Sequence, residues 1–366
     1  ALADVSADEL AAISIPDKVD TPIGTLEFFD GVPVGDTVDM VYDNLDRMRG
    51  LAVFLDNQGA ASLRAMRTGN AGIGADASHK ITITEQLLQP ESPYLTGNTS
   101  TLYALGYLDL KTDGPLVIEL PPGMLGFIDD AWFRFVENLG AIGPDRGQGG
   151  KYLVLPPNYQ SAVPDGYFIV RSGTYSNLLF LRGSIANGLA PAVENIKANL
   201  RVYPLAQADN PPETEFINFS GVSYNTIAPN DFSYFEALNA VVQEEPLDAI
   251  GPEERGLLAA IGIVKGQPFA PDERMKRLLT EAATLGNATA RAITYEPRIG
   301  GVFIYPDMDS AWTTAYADKN TTFETNGAMG LDARVLFYFN ATGVTQAMAA
   351  TTVGQGSDYA LAYLDA

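Results

Sequence analysis

The sequence contains no cysteine and a single histidine, His79. Disulfides, cysteine–zinc sites, iron–sulfur clusters and a thiol nucleophile are therefore excluded together. One imidazole leaves no material for a multi-histidine metal site or a histidine-bridged catalytic triad. Basic residues are scarce, 23 Lys and Arg against 45 Asp and Glu, for a net charge of −22. No Lys/Arg cluster offsets that field, so nucleic acid and anionic lipid surfaces are not expected partners. No apolar run approaches the ~20 residues of a membrane span, and no G-x-S-x-G elbow supplies a hydrolase nucleophile. The many carboxylates suit a hard ion such as Ca²⁺, but no spaced Asp loop announces one. No metal or cofactor is expected.

What is present is enough for a large interior. The 366 residues are 46% hydrophobic and 10% aromatic, which suggests two or three compact units. The chain opens on Ala1 with no basic n-region or apolar h-region. That start fits an exported chain freed of its signal peptide, as it would a trimmed one. A periplasmic or extracellular location is the expectation.

The pattern predicts a lead-in over 1–35 and then a helix with Asp36 as its cap. Val38, Val41, Leu45, Met48, Ala52 and Leu55 form its apolar stripe, leaving Asp39, Asp43 and Asp46 facing water. From about 80 to 183 the period shifts to two. KITIT, STLYALGYLDL, GPLVIELPP, KYLVLPP, GYFIVRS and NLLFLRGS read as strands separated by turns such as TDGP and VPDG. Residues 36–225 are thus expected to form a helix plus an antiparallel β-sandwich or jelly roll. LAPAVENIKANL reads as a helix and TEFINFS as a strand. Residues 226–295 read as a helical block, each helix with Pro near its first turn and Gly near its end. GVFIYP, ARVLFYFN and YALAYLDA then predict an incomplete C-terminal β domain over 296–366. The fold class is α+β, mainly β.

Residues 140–159, GAIGPDRGQGGKYLVLPPNY, hold a Gly-rich loop ending in Lys151. It is not a phosphate loop. Walker A wants Gly where Asp145 stands and Ser or Thr where Tyr152 stands, and this loop opens a strand rather than a helix. The expectation is a turn braced by Asp145 or Arg146. Upstream, strand alternation would put Asp130, Trp132 and Arg134 on one face, with Asp129 and Glu137 nearby. Two readings stand for this cluster: a grip on a sugar ring, or a salt-bridged surface beside a core Trp. Paired carboxylates would do acid–base hydrolysis only at the right spatial separation, which sequence does not give. His79 reads as a surface or hydrogen-bonded residue. Five N-x-[ST] sequons, at Asn98, Asn218, Asn287, Asn320 and Asn340, would mark surface sites in a eukaryotic host and carry no meaning in a bacterial one.

GTLEFFDGVP, GNTSTLYALGYLDL, GPLVIELPPGMLGFIDDAW, GPDRGQGGKYLVLPPNY and IGIVKGQPFAPDERMKRLL, spread over about residues 24–290, resemble a family of exported bacterial proteins. It is a tandem pair of domains of unknown function numbered twelve-fifty-four and twelve-fourteen. The resemblance implies β-sandwich or jelly-roll domains around a helical segment, associated with the cell envelope and without an agreed activity. Its recurrent polar residues fall on Asn98, Thr101, Tyr103, Asp129, Asp130, Trp132, Asp145, Arg146, Gly149, Gly150 and Lys151. The family often has an acid where this chain has Ser100, which weakens a metal or acid–base role there. Two functions stay open: an envelope protein that binds a glycan or other polar ligand or self-assembles, and a carboxylate-dependent hydrolase of a polysaccharide. YALAYLDA has no strand after it to pair with. The expected partner is therefore a second copy in a homo-oligomer, or a further polypeptide packed on 300–366.

Overall fold

The computed structural model describes residues 6–14, 16–89, 92–94, 97–340, 345, 349 and 359–362. The fold is α+β. Its centre is a six-stranded sheet covered on one side by a four-stranded sheet and on the other by helices.

The lead-in holds a short helix, α1 (Ala7–Ile13), closed by a Ser6–Glu9 capping box. A small antiparallel sheet follows, with β1 (Lys18–Thr21), β2 (Gly24–Phe29) and β3 (Val32–Pro33). Two helices come next, α2 (Thr37–Asp56) and α3 (Gln58–Gly72), bent apart at Asn57. The sandwich strands are β4 (Lys80–Ile83), β5 (Leu102–Asp109), β6 (Leu116–Leu120), β7 (Met124–Asp130), β8 (Phe135–Gly140), β9 (Gly150–Leu155), β10 (Phe168–Arg171), β11 (Ser176–Gly183), β12 (Arg201–Pro204) and β13 (Glu215–Asn218). A single turn of helix, α4 (Leu110–Asp113), follows β5, and α5 (Leu189–Asn199) precedes β12.

The six-stranded sheet runs β13-β4-β5-β11-β7-β8 and the four-stranded sheet β10-β9-β6-β12. The pairing is antiparallel inside both sheets. At two edges it is parallel, β9 with β10 and β4 with β13, because long connections return those edge strands in the same direction. Strand β11 is buried along its whole length and β5 nearly so. Leu179, Leu181, Ala104, Leu108 and Ile128 pack on Leu116, Ile118, Tyr152 and Val154 of the second sheet. Their alternate neighbours Tyr103, Tyr107, Phe127 and Phe180 point to the helical side.

That helical side joins α2 and α3 to α6 (Ser233–Glu244), α7 (Pro252–Ala260) and α8 (Glu273–Tyr295) in one apolar cluster. The expected orientation of α2 is corrected. Val38, Val41, Leu45 and Met48 are each at least 37% exposed, whereas Asp46, Gly50, Val53 and Phe54 are buried. Helix α8 lies so close that a Cβ on Gly50 would come 2.9 Å from Ala282 Cβ. Asp43 and Asp46 face Arg274 and Arg277 at 2.6–3.0 Å, and Arg47 faces Glu281 at 2.8 Å. Small residues and matched charges thus win the interface over the larger apolar stripe. Asp36 stands at the N-cap without a side-chain cap bond. Gly286 is likewise no stop for α8, which continues to Tyr295. Phe54 packs where its Cβ would be, 2.3 Å from Cδ1.

In the last part of the chain, ARVLFYFN is a helix, α9 (Leu331–Asn340), and not the expected strand. Val335, Leu336, Phe337 and Tyr338 are all buried, and a run of apolar residues without alternation does not distinguish strand from helix. GVFIYP contributes only a bridge from Phe303 to Thr313. The strands described here have two residues each: β14 (Thr313–Thr314), β15 (Glu324–Thr325), β16 (Ala328–Met329) and β17 (Ala360–Leu361). Of SDYALAYLDA, only 359–362 are described, and β17 pairs with β14 upstream in the same chain. Among the described residues no helix is long and apolar enough to cross a membrane.

Candidate functional site

The residues singled out in the sequence fall into separate places. Asn98 and Tyr103 sit at the start of β5, where Asn98 N donates to Tyr103 Oη at 2.8 Å and Asn98 Oδ1 accepts from Ser100 and Thr101. This is a local turn lock. At the same end of the sheet the 140–150 loop closes on Asp145, which is 5% exposed. Its carboxylate accepts from Gly140 N at 2.7 Å, from Gly149 N at 2.9 Å and from the Tyr152 hydroxyl. Burial and the adjacent carboxylate push the Tyr152 phenol far up. Arg146 is exposed, with φ +52°. Lys151 lies in β9 and pairs with Glu119 at 2.8 Å. The loop is a braced turn between two strands.

Asp129, Asp130, Trp132 and Arg134 lie at the opposite end of β7. The expected single strand face is corrected: β7 stops at Asp130, and residues 131–134 form the turn into β8. Phe133 takes φ +60° there while wholly buried. Asp130 spends its carboxylate inside that turn, accepting from Trp132 N, Arg134 N and Arg134 Nε at 2.7–3.0 Å. Trp132 is buried in the helical cluster, and its Nε1 donates to Asn57 Oδ1 at 3.2 Å. Asp129 is fully buried on the aromatic side of the sheet, where its charge pushes the Tyr316 and Tyr338 phenols further up than burial alone.

The structure instead gathers a site that the sequence reading missed. A cavity of about 300 Å³ opens where the bend between α2 and α3, the 226–230 loop, the end of α8 and α9 meet. Rings of Phe54, Tyr94, Tyr234, Tyr295, Tyr338 and Phe339 wall it. Tyr234 and Tyr338 send their hydroxyls to backbone carbonyls, those of Phe54 and Phe133, both at 2.8 Å. Burial keeps both phenols protonated. Their rings, not their polar ends, are left for an occupant.

Polar groups are set among these rings. Gln58, 7% exposed, lines the cavity, and its Oε1 is buried without a hydrogen-bond partner among the described residues. Such an acceptor costs about 1–3 kcal/mol unless something supplies a donor. Arg291 stands on the exposed rim, held by Nε to Asn287 Oδ1 at 2.9 Å and stacked 5.6 Å from the Phe339 ring centre. Ser62 and Asn230 add further donors and acceptors. No Asp or Glu is among the described lining residues. Asn287, Arg291 and Tyr295 recur every four residues in α8, the one signal that was legible. Reading Gly286 as the helix end concealed it.

A second cavity, about 220 Å³, lies beside Trp132 and is walled by Leu247, Ile250, Leu258 and Ile263. Its cations are occupied: Arg255 donates to the Leu247 and Ile250 carbonyls, and Lys265 to those of Val242 and Gln243. Among the described residues no group of three or more His, Asp or Glu is placed to hold a metal.

Residues 79–204 match a family model. Its description is protein of unknown function DUF1254, and the matched span contains the sandwich from β4 to β12. The VPA0106 protein of Vibrio parahaemolyticus is similar in structure, with a TM-score of 0.53 and 15% identity. The match covers 81% of this chain and 66% of that one; at this identity it speaks to the fold alone. An uncharacterised protein of Burkholderia cenocepacia aligns at 12% identity over 72% of this chain and 62% of its own. Its TM-score of 0.24 bears no weight. This chain thus spans just under two-thirds of the length of either. No curated protein matches the sequence.

Proposed function

We propose that the protein binds a glycan, or a small polar ligand built like a sugar, in the cavity between α3, α8 and α9. One observation carries this reading: Gln58, whose buried carbonyl has no partner among the described residues, lines a cavity walled by aromatic rings. Rings stack on the apolar faces of a sugar, and a fixed acceptor selects a hydroxyl. The carboxylate-dependent hydrolase is the weaker reading. It requires two carboxyl groups across a bond, about 5–9.5 Å apart. The described cavity lining offers none, and Asp130 is consumed by its own turn.

The reading extends to location and partners. The protein acts in the periplasm or outside the cell, associated with the envelope, with a twelve-fourteen domain as companion to the matched region. The absence of cysteine and the family resemblance support this. A second copy or a further polypeptide covers part of 300–366, where Tyr305, Met308 and Trp312 are 47–69% exposed. Calorimetric titration of the full chain with a panel of sugars and oligosaccharides tests the binding. Saturable heat without product is the expected result; release of reducing ends would reverse the two readings.

A further inference from the structure

Two features of the cavity go beyond a generic sugar site, and the inference drawn from them rests on the reading above. The first is Arg291. Its Nε is used by Asn287, and its guanidinium plane lies over Phe339. Its terminal nitrogens make no hydrogen bond or ion pair among the described residues. Arginine prepared in this way, oriented by a neighbour and stacked on a ring, presents a planar fork to a carboxylate. The second feature is the sign of the wall. In a chain of net charge −22, the described lining holds Arg291 and no acidic residue. Three other arginines of the helical layer face acids, Arg47 with Glu281, Arg274 with Asp43 and Arg334 with Asp56, and Arg255 is held by backbone carbonyls. A cation with no described carboxylate at its tips, in a cavity whose described lining holds none, leaves room for one brought by the ligand.

We infer that the ligand is an acidic sugar of the uronate type, its carboxylate taken by Arg291 and a ring hydroxyl by Gln58. A neutral sugar satisfies Gln58 and leaves the guanidinium unmatched. A simple anion does the reverse and leaves a buried carbonyl without a donor. A molecule that carries both groups uses both.

The test is calorimetric titration of the full chain with galacturonate and glucuronate, each beside its methyl ester, which keeps the ring and hydroxyls but removes the charge. The acids are expected to bind at least tenfold tighter than their esters. Arg291→Gln should erase that preference while leaving the weaker ester binding in place. Gln58→Leu should weaken acid and ester alike. Arg291 lies on an exposed helix surface, so the variant's thermal transition and circular dichroism should match the parent. Equal binding of acid and ester overturns this inference and leaves the sugar-binding reading standing. Undiminished acid binding by Arg291→Gln also overturns it. If neither the acids, the esters nor neutral sugars bind, both fall together.

Discussion

The two faces of the six-stranded sheet are buried by different chemistry. Toward the second sheet the contact is almost wholly aliphatic: Leu102, Ala104, Leu108, Ile128, Leu179 and Leu181 meet Leu116, Ile118 and Val154. Toward the helices it is aromatic. Phe127 stacks on Phe180 at 4.8 Å, Tyr103 meets Phe180 edge-on at 5.5 Å, and Tyr316 stacks on Phe337 at 4.5 Å. Hydroxyls on this side must be satisfied. Tyr94 and Tyr107 converge on Asn70, which is fully buried, and Tyr224 joins them. Aliphatic side chains interdigitate and close a space. Rings with polar tips pack at fixed angles and leave gaps, and the large cavity borders this face. The sandwich is the scaffold and the aromatic side is where a ligand can enter.

The comparison can be broken most sharply at the scaffold's edge. Asp145→Ala removes the acceptor for two backbone amides and a buried phenol at once. It should cost about 3–5 kcal/mol in urea unfolding and leave ligand affinity in the surviving folded fraction unchanged. A loss below about 1 kcal/mol would mean that the loop is not braced as described.

A smaller effect belongs to the junction between sheet and helices. Glu245, 1% exposed, accepts the amides of Tyr175 and Ser176, and burial pushes its carboxyl up to about 7, with Glu244 and Asp130 adding to the rise. The folded state then holds a proton that the unfolded chain releases near its ordinary value of 4.5. This contribution is full below about pH 4.5 and is lost as pH rises through about 7, roughly 3 kcal/mol in all. Urea titrations from pH 4 to 8 should show that slope in the parent. Glu245→Gln should lack it; an unchanged slope would assign it to other groups.

On the aromatic face, Asn70→Leu deprives Tyr94 and Tyr107 of a shared partner and should cost about 2 kcal/mol. This variant measures how much the polar centre of the aromatic face contributes. The smallest effect has the opposite sign. Gln58→Leu removes a buried carbonyl that lacks a donor and should stabilise the free protein by about 1 kcal/mol while weakening sugar binding. A destabilised variant would show that Gln58 serves packing instead.

Much of the scaffold was legible. Short apolar runs bounded by turn signals, LYALGYLD and NLLFLRG among them, announced strands, and PDERMKRLL announced a helix, which Asp272 caps by accepting from Met275 N at 2.8 Å. Asp145 was legible as a brace because a lone acid among glycines has little but backbone amides to meet. The failures share a cause. In α2 the apolar stripe faces out, Gly286 is a contact rather than a stop, and ARVLFYFN is a helix. Each outcome depends on what lies opposite, which local pattern does not encode.

Composition alone excluded thiol and multi-histidine chemistry, and local pattern alone marked β4, β5, β6, β9, β10, β11 and β13 as strands. Which face of α2 is buried, and that Gln58, Arg291 and Tyr338 share one cavity, were decided only by tertiary packing. Those residues are far apart in sequence, and they meet because Gly50, Ala282 and Gly286 let two helices approach to contact distance. A close approach of backbones depends on the absence of side chains at matched positions on both partners, and no single stretch of sequence reports it.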